Sequence, residues 1–93
     1  MKNFTIKQIA DELGAGAFGD LELKISGVNA PSRASINELA LAMDPSYEES
    51  LNSSDANAAI VWPGADWKKI GLMGGIIAPR SRYILSGITH LFE

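Results

Sequence analysis

The chain has 93 residues, 46% of them hydrophobic, with 8 Lys and Arg against 11 Asp and Glu, one His and no Cys. This length suits one domain with a single two-layer core. The absence of Cys excludes disulfides, thiolate zinc sites and cysteine nucleophiles, and a single His excludes a two-histidine metal motif. A net charge of −3 disfavours a nucleic-acid partner, because binding a phosphate backbone requires clustered Lys and Arg.

These counts predict a protein poor in catalytic groups, and we expect no metal or other cofactor. The longest nearly uncharged run, residues 70–79, is glycine-rich and far too short to span a membrane. No apolar stretch of signal-peptide length follows Met1. We therefore expect a soluble, cytoplasmic protein.

The first predicted element is a helix that begins after Thr5. Thr5 and Gln8 have the spacing of a capping box, in which each side chain accepts from the other residue's backbone N–H. Gly14 is expected to end this helix. The helix places four apolar residues on one face: Ile6, Ile9, Ala10 and Leu13.

A glycine-rich turn is expected after the helix, followed by a half-buried strand over residues 21–25, where apolar and polar residues alternate. Gly27 marks the end of this strand or a bulge. Residues 14–19 read G-x-G-x-x-G, but the order helix, glycines, strand is the reverse of a dinucleotide-binding fold. We interpret the glycines as a helix cap and a turn.

The remaining chain alternates between apolar runs and helix starts. Strands are predicted at residues 39–43, 58–62 and 75–78, and helices are predicted to begin at Asp44-Pro45, Asp66 and Pro79. The last helix would carry Ile84, Ile88 and Leu91 on one side. This alternation predicts a small α/β sandwich.

Most charged residues have an ordinary structural interpretation. His90 lies near the end of the last predicted helix, where a capping or solvated imidazole is expected. Glu48-Glu49 fits a solvated helix start, and Lys68-Lys69 and residues 80–82 fit solubilising surface positions.

Tyr47 is the residue that suggests binding. It lies in the first turn of the helix that begins at Asp44-Pro45, where a ring can project over the end of the preceding strand. Ligands of open α/β sheets bind beyond strand ends, and an aromatic ring there can stack on a planar base. Packing of Tyr47 on Leu51, one helical turn later, is the alternative. Trp62 and Trp67 flank a Pro-Gly turn and are expected to serve packing.

Five stretches, in order, resemble the amino-terminal domain of the UDP-3-O-(3-hydroxyacyl)glucosamine N-acyltransferase (LpxD) family of lipid A assembly. They are FTIKQIADELG (Phe4–Gly14), ISGV (Ile25–Val28), LALAMDPSY (Leu39–Tyr47), AAIV (Ala58–Val61) and APR (Ala78–Arg80). The resemblance implies a small mixed β-sheet flanked by helices. It also implies that residues 1–93 are a uridine-nucleotide recognition domain truncated before a hexapeptide-repeat acyltransferase domain.

In that family, a segment resembling S-F-L-x-N-P-x-Y holds the uracil of the substrate through a Phe, an Asn and a Tyr. Carried over, the Tyr is Tyr47 and the Pro is Pro45, whereas Leu41 occupies the Phe position and Asp44 the Asn position. An Asn amide both donates and accepts, but an ionised Asp only accepts. The resemblance therefore implies that uracil binding by Tyr47, Asp44 and Leu41 is weaker than in the family pattern, or is shared with residues outside this segment.

The resemblance further implies that UDP-3-O-acyl-glucosamine is the substrate and that a 3-hydroxyacyl chain arrives on acyl carrier protein. Catalysis, the contact with acyl carrier protein and the assembly of a homotrimer would belong to the following β-helix domain, and His90 does not correspond to its catalytic histidine. Two alternatives stay open. One is a packing domain that has lost uracil binding, and the other is the amino-terminal domain of a muramyl peptide ligase, which the Asp44-Pro45-x-Tyr47 spacing disfavours.

Overall fold

The computed structural model describes residues 4–78 and Gly87. The strands are β1 (Phe4–Thr5), β2 (Gly16–Gly19), β3 (Lys24–Ile25), β4 (Gly27–Asn29), β5 (Glu38–Ala42), β6 (Ala58–Val61) and β7 (Gly74–Ile77). The helices are α1 (Ile6–Leu13), α2 (Glu48–Asn52), which a 3-10 turn at Pro45–Tyr47 precedes, and α3 (Trp67–Ile70). Within the described residues, none of these helices has the length and apolar character needed to cross a membrane.

Five strands form one mixed sheet in the order β2-β7-β6-β5-β4. Strands β4, β5, β6 and β7 run parallel, and β2 pairs antiparallel with β7. Strands β1 and β3 form a separate antiparallel pair. The predicted fold class, a small mixed α/β domain with helices against the sheet, is confirmed.

The sheet is covered on both faces, and strand β6 contributes to both cores. One cluster contains α1 and alternate strand residues, including Ile60. The other contains Leu51 of α2 and the intervening strand residues, including Val61. We call them the α1-side cluster and the α2-side cluster. All four residues of β6 are buried, and this explains why its sequence is a continuous apolar run.

Helix α1 forms as predicted. The Thr5 hydroxyl accepts from the Gln8 backbone N–H at 3.2 Å, and the Gln8 side chain accepts from the Thr5 N–H at 2.9 Å. Gly14 ends the helix in the left-handed conformation, with a φ of 65° that favours glycine. Among the predicted inward-facing residues, Ile6, Ile9 and Ala10 are buried.

The prediction of a strand over residues 21–25 is wrong except for its last two residues, which form β3. The carbonyl oxygens of Leu23 and Leu21 accept from the backbone N–H groups of Ile6 and Lys7, both at 3.1 Å. These are first-turn amides of α1, which have no partner inside the helix. The segment 21–23 therefore caps α1 instead of joining a sheet, and only β3 makes strand pairs, with β1. Gly27 begins β4 and so does not end a longer strand.

The turn predicted in the glycine-rich segment is also wrong, because residues 16–19 form strand β2. This strand fits against β7, in which two glycines face Phe18 and Gly19. The interpretation of Gly14 as a helix cap is confirmed. Helix α1 comes before the G-x-G-x-x-G segment, and the last four residues of that segment form strand β2.

The other elements lie close to their predicted positions. The strands predicted at 39–43, 58–62 and 75–78 correspond to β5, β6 and β7, and the helix starts at Asp44-Pro45 and Asp66 are confirmed. The final helix predicted from Pro79, with Ile84, Ile88 and Leu91, lies outside the described residues, as does His90.

Gly75 allows an aromatic side chain to lie against the sheet. It pairs with Phe18, whose ring centroid is 4.7 Å from that of Trp67 on α3. A Cβ atom at position 75 would come within 2.6 Å of Phe18 Cζ and would also meet the carbonyl oxygen of Ala59. The missing side chain therefore makes room for the contact between β2 and α3.

We expect Gly75→Ala to lower the free energy of unfolding by about 1–3 kcal/mol, because the added methyl overpacks a site bounded by backbone. Urea unfolding followed by tryptophan fluorescence measures the effect. Gly16→Ala is the matched control, since a Cβ at that position of β2 has no atom within 4 Å. Equal stability of the two variants would contradict this account of the packing.

Candidate functional site

The carboxyl ends of the four parallel strands lie along one edge of the sheet, which we call the carboxyl edge. Residues 30–34 follow β4 and residues 43–47 follow β5 at this edge. In open α/β sheets, ligands bind in the crevice outside the carboxyl ends of the strands. The segment that contains Asp44 and Tyr47 lies at this edge, although the four parallel strands follow one another in chain order, without the reversal at which such crevices form.

Asp44 organises the turn that leaves β5. Its backbone is extended, with φ −139° and ψ 143°, and its Oδ1 accepts from the Ser46 backbone N–H at 2.9 Å. Pro45 occupies the first position of the 3-10 turn, where a missing N–H costs no hydrogen bond. The Asp44 carbonyl then accepts from the Tyr47 N–H at 3.0 Å. Asp44 thus fixes the backbone that carries Tyr47.

The Asp44 carboxylate is fully exposed and accepts hydrogen bonds. The backbone N–H of Ser46 and, to a lesser extent, the Ser46 side chain hold the pKa of Asp44 below its usual range. Both interactions favour the charged form, because a carboxylate accepts hydrogen bonds from donors. At neutral pH, Asp44 is therefore an acceptor-only group, with lone pairs left for a ligand N–H.

The Tyr47 ring is accessible at the end of the 3-10 turn. The residue is 46% exposed, whereas Leu51, one helical turn later, is 3% exposed and belongs to the α2-side cluster. Nearly half of Tyr47 is therefore open to solvent, as stacking on a planar ligand requires.

Leu41 is placed differently from the other two predicted site residues. It is the next-to-last residue of β5, pairs with Ile60 of β6, and is a half-buried side chain packed against the α1-side cluster. Leu41, Asp44 and Tyr47 thus share one strand end. Asp44 and Tyr47 are exposed to solvent, whereas Leu41 contributes to the core.

Two features near this segment were not predicted from the sequence. The Ser46 N–H and hydroxyl hold the Asp44 carboxylate, and the Asp-Pro-Ser sequence of an N-cap is the local signal for this contact. A surface notch lined by Ser32, Glu49, Ser50 and Ser53 was also missed. No local motif joins these residues, because Ser32 lies on a different element.

The two tryptophans serve packing, as predicted. Trp62 and Trp67 are partly buried against the α2-side cluster. The Lys68 Nζ lies 5.6 Å from the centroid of the Trp67 ring, within the range of a cation–π contact.

Within residues 4–78, no three or more His, Asp or Glu side chains are grouped so that they could hold a metal ion.

No protein-family model matches the chain. Three curated relatives match the chain, and each is named UDP-3-O-acylglucosamine N-acyltransferase. The relative from Ruegeria pomeroyi is 44% identical over 91 residues, that from Paracoccus denitrificans 34% over 89, and that from Syntrophobacter fumaroxidans 30% over 91. The resemblance read from the motifs is thereby confirmed. The matches span 96–98% of this chain but only about a quarter of each relative.

We expect the pKa of the Asp44 carboxyl to lie below that of an Asp in an unfolded chain, as measured by a ¹³C NMR titration. Ser46→Ala removes the hydroxyl donor but keeps the backbone N–H, so the pKa should rise only part of the way to its usual value. A pKa of Asp44 at or above its usual value would contradict this geometry.

The lowered pKa also predicts how stability depends on pH. Asp44 stabilises the fold at pH values above the pKa that its carboxyl has in the unfolded chain. This contribution is lost as the pH falls through the lower pKa that the carboxyl has in the folded state. Asn caps helices as well as Asp does but does not titrate. Asp44→Asn should therefore lose less stability than the wild type below about pH 4.

Proposed function

We propose that this chain is the amino-terminal domain of a UDP-3-O-acylglucosamine N-acyltransferase and that it recognises the uridine nucleotide of the substrate. The proposal starts from the similarity of the chain to about a quarter of the length of each relative. One structural observation carries the proposal. An exposed Tyr47 ring and an ionised Asp44 carboxylate follow the same strand at the carboxyl edge. A stacking surface beside a hydrogen-bond acceptor is the minimum that recognition of a base requires.

In the parent protein, the reaction would transfer a 3-hydroxyacyl chain from acyl carrier protein to the amine of UDP-3-O-acyl-glucosamine. We assign the catalytic groups, the contact with acyl carrier protein and the homotrimer interface to the part of the relatives that lies outside the match. The names of the relatives support the acyltransferase reaction and its UDP-3-O-acylglucosamine substrate. The contribution of this chain is to hold one end of the substrate.

Tyr47 provides the stacking surface for uracil. Stacking of a base on an aromatic side chain contributes about 1–3 kcal/mol and requires one open face of the ring. Tyr47 meets that requirement, and the Asp44 cap fixes the backbone from which the ring projects. Leu41 supplies apolar surface at the strand end but no second ring.

Asp44 accepts a hydrogen bond from the uracil N3–H. A carboxylate has about four lone-pair sites, so acceptance from Ser46 leaves capacity for a ligand donor. The carboxylate cannot donate to the flanking uracil carbonyl, as an Asn amide would. One hydrogen bond and one stacked face together predict weak binding of the free nucleoside.

A domain that has only a packing role is the second candidate, and the position of Leu41 favours it. Its side chain packs into the α1-side cluster instead of presenting a ring to a base. In the full-length enzyme, a packing role predicts that Tyr47→Ala lowers stability or assembly without raising KM for the nucleotide substrate. A recognition role predicts a raised KM with unchanged stability. The muramyl peptide ligase alternative is disfavoured, because the three matching relatives are acyltransferases.

We expect Tyr47→Ala to weaken uridine binding to this chain about tenfold, because the stacking surface is lost. The measurement is a titration with uridine to millimolar concentration, followed by backbone amide shifts in NMR spectra. Tyr47→Phe is the matched control and should bind as the wild type does, since the ring remains. Wild-type spectra with no shift near Tyr47 would contradict the proposal.

We expect Asp44→Asn to tighten uridine binding several-fold, because the amide both accepts from N3–H and donates to a uracil carbonyl. Uridine is the appropriate probe, since an uncharged ligand does not respond to the removed negative charge. Glu48→Gln removes one negative charge nearby and should leave the affinity unchanged. An Asp44→Asn variant with unaltered or weaker affinity would argue against a contact between residue 44 and the base.

A further inference from the structure

Gly87 lies against helix α1. It is helical and half-buried, and a Cβ atom at this position would lie 2.5 Å from Leu13 Cδ2. Leu13 is the last residue of α1 and packs against the α1-side cluster. Because glycine has no side chain, a helical backbone can approach the end of α1 closely at position 87.

Gly87 falls within an apolar stripe of the sequence that follows β7. The spacing i, i+3, i+4, i+7 is formed by Ile84, Gly87, Ile88 and Leu91. Residues with this spacing lie on one side of a helix, and that side is buried against another element. Since Gly87 is in the middle of the stripe and contacts Leu13, the contact points to α1 as that element.

Helix α1 has an acidic groove on its exposed side. The groove has a volume of about 390 Å³ and is lined by Phe4, Gln8, Asp11 and Glu12. Asp11 and Glu12 lie in the last turn of α1, which contains no basic residue. Carboxylates are unfavourable there, because the carboxyl end of a helix carries partial negative charge. A cation beside this end of α1 would offset that cost.

The segment 79–93 carries suitable cations at its start. It contains Arg80 and Arg82 and a single acidic residue. Ile77, the last residue of β7, pairs with Gly16, which is three residues after the end of α1. Arg80 is also three residues after Ile77, and three residues of chain span at most about 11 Å. The arginines and the acidic end of α1 are therefore tethered to the same point of the sheet.

We propose that the segment 79–93 docks along α1 as a helix, with Gly87 against Leu13 and the two arginines beside Asp11 and Glu12. The contact at Gly87 gives the position of the segment on α1. The apolar stripe provides the surface that becomes buried, and the opposite charges favour this placement. The proposal is independent of nucleotide recognition, because Asp44 and Tyr47 follow β5 and do not line the groove.

The contact is tested by urea unfolding of the 93-residue wild type, Gly87→Val, Leu13→Ala and the double variant. Valine is a better helix former than glycine, so Gly87→Val would stabilise a helix that packs against nothing. We expect this variant instead to lower the folding equilibrium constant on the order of tenfold, because the added side chain overpacks against Leu13. The loss should be much smaller in the Leu13→Ala background. Equal or higher stability of Gly87→Val in the wild-type background overturns the docking.

Nuclear Overhauser effects locate the segment directly. We expect them between the Gly87 Hα protons and the Leu13 methyl groups. In a mixture of isotope-labelled and unlabelled chains, they should arise within one chain. Their absence overturns the proposal. Effects that arise only between chains also overturn it, because a second copy of the chain would then cover α1.

The charges are tested with Glu12→Gln. Removal of a carboxylate from the last turn would stabilise an isolated helix. We expect Glu12→Gln instead to lower the folding equilibrium constant about twofold, and to raise it when Arg80→Gln and Arg82→Gln are both present. Glu22→Gln is the matched control, since Glu22 is exposed and does not line the groove, and its effect should be the same in both backgrounds. An effect of Glu12→Gln that does not depend on the arginines overturns their placement beside α1.

Discussion

The burial of strand β6 on both faces is the constraint on which the rest of the structure depends. Its four residues alternate between the two clusters, and its edges are hydrogen-bonded to β5 and β7 in parallel register. A slip of one residue would move every side chain to the opposite face of the sheet. Because Ile60 faces α1 while Ala59 and Val61 face α2, such a slip would disrupt both clusters at once.

The register of β6 determines where the segment with Asp44 and Tyr47 lies. It pairs Leu41 with Ile60 and Ala42 with Val61, so β5 ends level with β6 and the chain leaves the sheet at Met43. The Asp44 cap then turns the chain directly into the 3-10 turn and α2. Tyr47 and the polar side of α2 are thereby presented at the carboxyl edge without any long loop. A site built in this way depends on local hydrogen bonds and on a rigid sheet.

The proposed nucleotide site is consistent with the acidic charge of the chain. A chain with a net charge of −3 does not attract a polyanion, but stacking of an uncharged base requires no cationic surface. In the proposed site, Asp44 and Leu41 would offer the base fewer contacts than an amide and a second ring would.

The sequence alone determined the elements whose signals are local: the Thr5–Gln8 capping box, the Gly14 helix end, the buried run of β6 and the Asp44-Pro45 helix start. A helix cap depends on residues within one turn of each other, and a continuous apolar run indicates a buried segment. Both signals can therefore be recognised in the sequence without knowledge of the fold. Only the tertiary structure decided that residues 21–23 cap α1 and that residues 16–19 form a strand, since their hydrogen-bond partners are distant in the sequence. The same holds for the notch, because Ser32 and Glu49 become neighbours only when parallel pairing brings β4 beside β5.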